Sequence, residues 1–408
     1  MSALARMCLA YGIHVSGSDG SDSQIIQNLK KEGAQIYIGH KKEHLSQDTT
    51  CVVYTLAIDN LNEELNEAHL RKLPLYTYAE MLGEISKHLY TIAVAGTHGK
   101  TSTTAMLADV FLHNDKSPHV IVGSLLAQTG SNYVHGEDEL FIVEACEYKR
   151  SFLNLNPQIL LITNLEEDHL DYYRDLEDIQ DAFRNLVEKI PVDGYVICDT
   201  DDEKIKPILT TCIAQIIDYK KFTPEIPELT VLGDHNVLNA SLVYALADVL
   251  KFDATKTKHA LTQFKGTWRR LEFKKNVGEI LLYDDYAHHP TEIKAGILAF
   301  KKRFPDFPLT LIFQPHLYSR TKEHFDEFIE VLSEANTVIV LPIYAAREPF
   351  DTTINSQMIV DELVKKDVES FLYEDFESVC EYILQSKDTK QIIVTVGAGD
   401  VHKIADTF

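Results

Sequence analysis

The chain has 408 residues, 45% hydrophobic and 25% charged, ordinary values for two or three domains with full cores. A formal charge of −23 and a pI near 5.1 argue against nucleic-acid backbone and anionic membranes as partners, leaving room for a locally basic pocket. No apolar stretch reaches the length of a membrane span, the N-terminus lacks a signal-peptide pattern, and six cysteines (Cys8, Cys51, Cys146, Cys198, Cys212, Cys380) without C-x-x-C spacing read as reduced core thiols of a cytosolic protein.

Residues 1–88 read as a small α/β domain. A helical pattern from Ser2 to Tyr11 ends at Gly12, a plausible C-cap. Ile13 to Asp19 follows as a strand running into a loop, then helix Ser23 to Glu32, strand Gln35 to Ile38 and strand Cys51 to Thr55. This alternation predicts a parallel, Rossmann-like sheet, which ordinarily opens on a strand and a glycine-rich turn. Here the pattern opens on a helix, so the first domain reads as truncated.

Residues 89–265 read as a second α/β unit. A buried strand, Tyr90 to Ala95, leads into Gly96-Thr-His-Gly-Lys-Thr-Ser102 and then a helix from Ala105 to Leu112. Strand, glycine turn with Lys-Thr, and helix make a phosphate-binding arrangement. Gly96 and Gly99 let the backbone approach phosphate oxygens, Lys100 reaches the terminal phosphates, and the Thr101 hydroxyl ligates Mg²⁺. The loop is shorter than the general G-x-x-x-x-G-K-[ST] pattern, which would place glycine at Val94. Strand Glu139 to Val143 ends at Glu144, and strand Ile159 to Thr163 ends at Asn164, ahead of Glu166-Glu-Asp-His169. Open α/β sheets hold ligands at such strand ends, and a carboxylate, an imidazole and a loop threonine suit Mg²⁺ bridging nucleotide phosphates. Taken alone, Glu144 reads equally as a solvated strand end and His169 as a capping histidine. Gly233-Asp-His-Asn236 opens a helix to about Leu250, whose asparagines serve either an adenine edge or helix capping. The acidic run Asp199 to Glu203 reads as solvated surface.

A break at Phe264 to Phe273 marks the next boundary, and residues 266–408 are again α/β. Strands Glu279 to Tyr283, Leu309 to Phe313, Thr337 to Leu341 and Gln391 to Val396 each run into a polar or glycine-rich loop, which predicts one cleft along a sheet edge.

These segments, in this order, resemble the Mur ligases of bacterial cell-wall precursor synthesis. The resemblance rests on Ala95-Gly-Thr-His-Gly-Lys-Thr101, Glu144-Ala-Cys-Glu147 with Ser151-Phe-Leu153, Thr163-Asn164 with Asp168-His169, Gly233-Asp-His-Asn236, Arg269-Arg270, Asp284-Asp-Tyr-Ala-His-His-Pro-Thr-Glu292 and Phe313-Gln-Pro-His316. It implies three domains: a UDP-sugar domain, a central P-loop ATPase-like domain and a C-terminal Rossmann-like amino-acid domain. Among family members the chain looks most like the one that adds the first amino acid. The implied reaction joins L-alanine to UDP-N-acetylmuramate, with ATP and Mg²⁺, through an acyl phosphate. The implied ATP contacts are Gly96, Thr97, His98, Gly99, Lys100, Thr101, Ser102, Asn236, Asn239, Arg270 and Asp285. Thr101 and Glu144 would hold one Mg²⁺ and His169 a second; Ser18 and Asp19 would carry UDP-sugar contacts; His288, His289 and Arg320 would meet the alanine and the acyl phosphate. Taken alone, His288-His289 also reads as a capped or core pair, and Arg320 as a surface arginine.

Leu317 stands where some relatives have arginine, and the position where several carry a carbamylated lysine falls near Arg184. The family mechanism also implies closure of the Asp284 to Pro290 loop over Gly96 to Thr101, to shield the acyl phosphate from water. Two other readings stay open. One is a recycling ligase that attaches a tripeptide to the same sugar. The other is a non-catalytic nucleotide-binding interaction protein. The expected state is a cytoplasmic monomer or weak homo-oligomer.

Overall fold

The computed structural model describes every residue except Asn60, 127–129, 171 and 347. By internal packing the chain divides into two compact units, residues 1–228 with 237–264, and residues 229–236 with 265–408.

The first unit begins on helix Ser2–Ala10, followed by strands β1 (Ser16–Asp19), β2 (Gln35–Ile38), β3 (Val52–Tyr54) and β4 (Leu75–Thr77). They pair in parallel, β1 with β2 and β3 with β4, as two separate ribbons. Helices Glu63–Leu70 and Tyr78–Ser86 and strand β4 are absent from the sequence reading. Helix Tyr78–Ser86 carries a reciprocal capping box between Thr77 and Glu80.

Seven strands then form one sheet: β5 (Tyr90–Ala95), β6 (His119–Ile121), β7 (Tyr133–Val134), β8 (Leu140–Glu144), β9 (Ile159–Ile162), β10 (Tyr195–Cys198) and β11 (Gln215–Asp218). Their order is β11-β10-β9-β5-β8-β6-β7, and only the β6–β7 pairing is antiparallel. β9 is buried along its whole length and β5 from its second residue on, as expected of parallel strands covered on both faces. Val94 pairs with Glu144 and Ala95 with Ile162, so the carboxyl ends of β5, β8 and β9 stand side by side. Ala3 and Met7 of the first helix and Leu82 pack into the same core as Phe141, Leu160 and Phe183, which ties the N-terminal segment to this sheet.

The second unit holds β12 (Glu272–Val277), β13 (Ile280–Asp285), β14 (Leu309–Phe313), β15 (Thr337–Val340), β16 (Glu369–Leu372) and β17 (Gln391–Val396). The order is β12-β13-β17-β14-β15-β16, parallel apart from β12. Asp285 and Phe313 both pair with Val396, and Phe313 also with Val340, so four strands finish at one sheet edge, where the sequence expects a cleft.

Three sequence expectations need correction. All six cysteines are free, but only Cys198 is buried: Cys51, just before β3, and Cys146, just after β8, are exposed, while Cys8 and Cys380 on helices and Cys212 in the loop before β11 are half-buried. Asp199 is not solvated surface: it is buried, ion-paired with Lys220 at 2.5 Å, and its carboxylate accepts from the Asp201 amide. The phosphate-loop helix spans Lys100–His113, starting five residues before Ala105, because left-handed Gly99 (φ 82°) caps it directly.

Candidate active site

The Gly96–Thr101 loop is laced to the segment after β9. Thr97 N–H donates to Asn164 O at 3.2 Å, and His98 N–H to Asn164 Oδ1 at 2.9 Å. Asn164 Nδ2 returns a bond to His98 O at 3.1 Å, and Thr97 Oγ1 accepts from Glu166 N–H at 2.8 Å. The amides of Thr97 and His98 are therefore spent on Asn164, and the amides at the start of helix Lys100–His113 are the ones left without intrahelical acceptors. Gly96 lies at φ 133°, and a Cβ there would fall 2.0 Å from Thr163 Oγ1, so no other residue fits. Ser102 is half-buried in the first helical turn. Asn239 lies against the loop, its Oδ1 2.7 Å from where a Cβ on Gly99 would be.

The Thr101 hydroxyl donates to the Glu144 carboxylate, at 3.0 and 3.1 Å to its two oxygens. Glu144 Oε2 also accepts from Gly123 N–H at 2.8 Å. Lys100 does not project from the loop. Its ammonium donates to Gly96 O, to Thr97 O at 2.9 Å and to Glu147 Oε1 at 3.0 Å. Burial pulls this ammonium down, and the Glu147 and Glu144 carboxylates outweigh it, holding Lys100 above its ordinary value.

Glu147 is the residue that sequence reasoning missed. It is 4% exposed, its Oε1 lies 3.5 Å from His169 Nε2, and its Oε2 is buried with no hydrogen-bond partner. Burial pushes its carboxyl up, but Lys100 and His169 more than offset this and leave it below the ordinary range. For His169 burial again acts first, downward, and Glu147 and Asp168 outweigh it to leave the imidazole raised. The only sequence signal was the E-x-x-E spacing from Glu144. His169 itself sits at φ 56°, with the Tyr148 ring centroid 4.9 Å from its own.

Both acidic sets fit a divalent cation. Thr101 and Glu144 offer hard oxygen donors beside the helix N-terminus. Glu147, Asp168 and His169 bring ligand atoms within 4.8 Å of one another, and the orphaned Glu147 Oε2 is a buried acceptor awaiting a partner.

The remaining sequence-predicted residues are carried by other elements. Ser18 and Asp19 end β1; Ser18 Oγ is 3.4 Å from His44 Nδ1, and Asp19 accepts from the Ser21 amide. In the second unit, Asn236 donates to Leu232 O at 2.7 Å. Arg270 lies 3.6 Å from Glu292, and buried Asp285 is the last residue of β13. His288 Nδ1 bonds to Tyr286 O at 3.0 Å, while burial lowers its basicity. Arg320 pairs with His316 Nδ1 at 3.2 Å. His289 is a helix cap, its Nδ1 accepting from Thr291 N–H at 3.3 Å, so the capping reading holds for that half of the pair. Arg184 is on helix Leu176–Val187, 3.6 Å from Asp181.

A lysine, a helix N-terminus and oxygen donors from neighbouring strand ends, converging on one glycine loop, are the equipment of a phosphate-handling α/β enzyme of the P-loop kind. Comparison with known proteins is more specific. The Mur ligase family catalytic domain matches residues 1–90, the Mur ligase middle domain residues 94–225, and the Mur ligase glutamate ligase domain residues 269–399. The chain belongs to the Mur ligase family. It is 38% identical to the UDP-N-acetylmuramate–L-alanine ligases of Clostridium kluyveri and Clostridium perfringens, over 100% of this chain and 95% of each relative. Its structure resembles that of UDP-N-acetylmuramate–alanine ligase MurC from Thermotoga maritima, with TM-score 0.82, 26% identity, and coverage of 100% of this chain and 95% of that one. A murein peptide ligase from Psychrobacter arcticus shares the fold, with TM-score 0.71, 24% identity and coverage of 100% and 95%.

Proposed function

We propose that this protein joins L-alanine to the lactyl carboxylate of UDP-N-acetylmuramate, converting ATP to ADP and phosphate, in peptidoglycan precursor synthesis. The observation that carries this reading is the full-length likeness to UDP-N-acetylmuramate–L-alanine ligases in a chain whose Lys100, Thr101, Glu144 and His169 converge around the phosphate loop. We assign residues 1–88 to the UDP-sugar, 89–265 to ATP and 266–408 to the amino acid. The enzyme would act in the cytoplasm, where ATP and sugar nucleotides are available, as a monomer or weak homo-oligomer.

A free carboxylate is a poor acyl donor because oxide would have to leave. Its oxygen therefore attacks the γ-phosphorus of ATP and ADP departs. The alanine amine then attacks the acyl carbon, phosphate leaves, and the nitrogen loses its proton. The protein's part is positioning and charge neutralisation. Lys100 neutralises the terminal phosphates, with helix Lys100–His113 presenting its N-terminus to them. Bound Mg²⁺ would supply further charge neutralisation; Thr101 and Glu144 would hold one ion, and His169 another. Gly96, Thr97, His98, Gly99 and Ser102 shape the loop, and Asn236, Asn239, Arg270 and Asp285 are assigned to the nucleoside. Ser18 and Asp19 are assigned to the UDP-sugar. In the second unit, His288 Nδ1 is engaged by a carbonyl, which leaves Nε2 as the lone-pair nitrogen suited to take the amine proton, and Arg320 provides the cation for the amino-acid carboxylate.

The test is phosphate release from ATP and Mg²⁺, with and without UDP-N-acetylmuramate, offering L-alanine or the tripeptide L-Ala-γ-D-Glu-meso-diaminopimelate. Release that needs both the UDP-sugar and L-alanine is the expected result. Release with the tripeptide alone moves the assignment to a recycling ligase. No release with either overturns the catalytic reading.

A further inference from the structure

All three donors of the Lys100 ammonium are turned inward, onto Gly96 O, Thr97 O and Glu147 Oε1. A lysine so placed cannot meet a phosphate until it leaves a partner. The two carbonyls belong to the loop itself and cannot depart without rebuilding it. Glu147 is the separable partner: it comes from the segment after β8, and its other oxygen is buried without a hydrogen bond. The oxygen that accepts from Lys100, Oε1, also faces His169 Nε2 at 3.5 Å, and Asp168 completes a set whose ligand atoms lie within 4.8 Å.

We propose that Glu147 is an exchange carboxylate: it docks the phosphate-loop lysine while no nucleotide is bound, and on losing that lysine to the phosphates it completes a divalent-cation site with Asp168 and His169. The inference rests on the nucleotide reading above and adds an order to it. With Lys100 in place, the ammonium stands against one ligand oxygen of the set and repels a second cation there. Once phosphate oxygens take the ammonium, buried Glu147 loses its nearer cationic neighbour and keeps only His169 at 3.5 Å, which is costly until a cation replaces the ammonium. Nucleotide arrival and cation binding at His169 are coupled through this one side chain. Any ligand that binds both states of Glu147 equally shifts nothing, so the coupling is confined to ligands carrying phosphate.

The experiment uses the full chain and two readouts that need no turnover. ADP is titrated calorimetrically with divalent ions chelated, into wild type and Glu147→Gln, and bound Mn²⁺ is counted by electron paramagnetic resonance with and without saturating ADP. The expected wild-type result is no Mn²⁺ at the Glu147 set without ADP and two bound ions with it. Glu147→Gln, free of the competing carboxylate, is expected to bind ADP about ten-fold tighter, equivalent to one lost ion pair of about 1.4 kcal/mol, and to retain a single ion. Glu147→Asp should return ADP affinity toward wild type, because the charge is kept. Unchanged or weaker ADP binding by Glu147→Gln overturns the exchange, and so does a second Mn²⁺ held by wild type without ADP. The wild-type Mn²⁺ count decides the question even if the Gln variant does not fold. A wild type that takes no ADP at all overturns the nucleotide reading together with the exchange, which separates the two failures.

Discussion

Arg269 and Asp284 form a 2.9 Å ion pair in which the two residues are 2% and 1% exposed. The guanidinium spends its other donors on Gly397 O and, at 3.0 Å, Gly399 O, while Thr395 Oγ1 donates to the second Asp284 oxygen. Arg269 thus pins the strap before β12 to the ends of β13 and β17, and it does so from a left-handed backbone at φ 58°. Its chain neighbour Arg270 and Asp284's neighbour Asp285 are the residues assigned to the nucleoside, so the pair sets where both begin. Removing one partner leaves a buried charge alone, a cost of about 3–5 kcal/mol. Arg269→Met is expected to lose that much in urea unfolding. Arg269→Met with Asp284→Leu should lose less than Arg269→Met alone, and a double variant as unstable as the sum of the singles would refute the pairing argument.

The Thr101–Glu144 contact is open to a test that leaves both residues intact. Gly123 donates its amide to Glu144, and a Cβ at that position would stand 2.8–3.0 Å from the carboxylate atoms. Gly123 has no left-handed strain, so Gly123→Ala should fold normally while pushing the carboxylate off the Thr101 hydroxyl. Metal-dependent nucleotide affinity is expected to fall roughly ten- to hundred-fold, the scale of a hydrogen bond to a charged group, with metal-free ADP binding unchanged. Thr101→Val should give the same split. Equal losses with and without metal would place the effect in the loop rather than at the cation.

The phosphate loop was legible in the sequence because its chemistry is local: glycines, lysine and threonine must be contiguous to work. The role of Glu147 was not, because it depends on Lys100 turning inward across 47 residues of chain. Asp199 failed for a similar reason. Its partner Lys220 arrives from after β11, and nothing in the run Asp199 to Glu203 announces it. Strand β4, three residues long, is too short to show a period of two, and helix Glu63–Leu70 buries only Leu65 and Ala68, leaving little apolar pattern to read. The parallel sheets were legible because buried β-branched and aliphatic runs need no partner information to stand out.

Next to Glu147, Lys149 (φ 52°, ψ 30°) and Arg150 (φ 56°, ψ 26°) are consecutive left-handed residues, and neither is glycine. Arg150 is fastened by Asp178 at 2.7 Å and Asp181 at 2.9 Å, which explains how the turn is held. Lys149 is exposed, with its ammonium 5.4 Å from the Tyr148 ring centroid. Left-handed backbone costs an L-residue roughly 1–2 kcal/mol, so Lys149→Gly should gain about 1 kcal/mol and Lys149→Val should lose at least that much, since a β-branched side chain tolerates the region worst. Denaturant midpoints of the three proteins check this, and a valine variant as stable as the glycine variant would mean the turn relaxes in solution.

Asp285 is 7% exposed, and burial, with help from Glu292 and Asp284 and against Arg270, raises its carboxyl from 3.8 to about 7. The folded state therefore keeps a proton that the unfolded state releases. Below the unfolded value both states are protonated and the group is neutral in its effect. As pH climbs toward 7 the unfolded state gains, at about 1.4 kcal/mol per unit, and above 7 the full cost is in place. Asp109, raised by burial to about 6, tilts the curve the same way over part of that range. The two are separated by substitution rather than by the wild-type curve. Asp285→Asn removes only the first contribution, so its stability relative to wild type should improve between pH 5 and pH 8, by an amount on the order of 2–3 kcal/mol. Urea unfolding at those two pH values measures it. A difference that does not change with pH would mean Asp285 is ionised throughout, paired with Arg270 and better solvated than its burial implies.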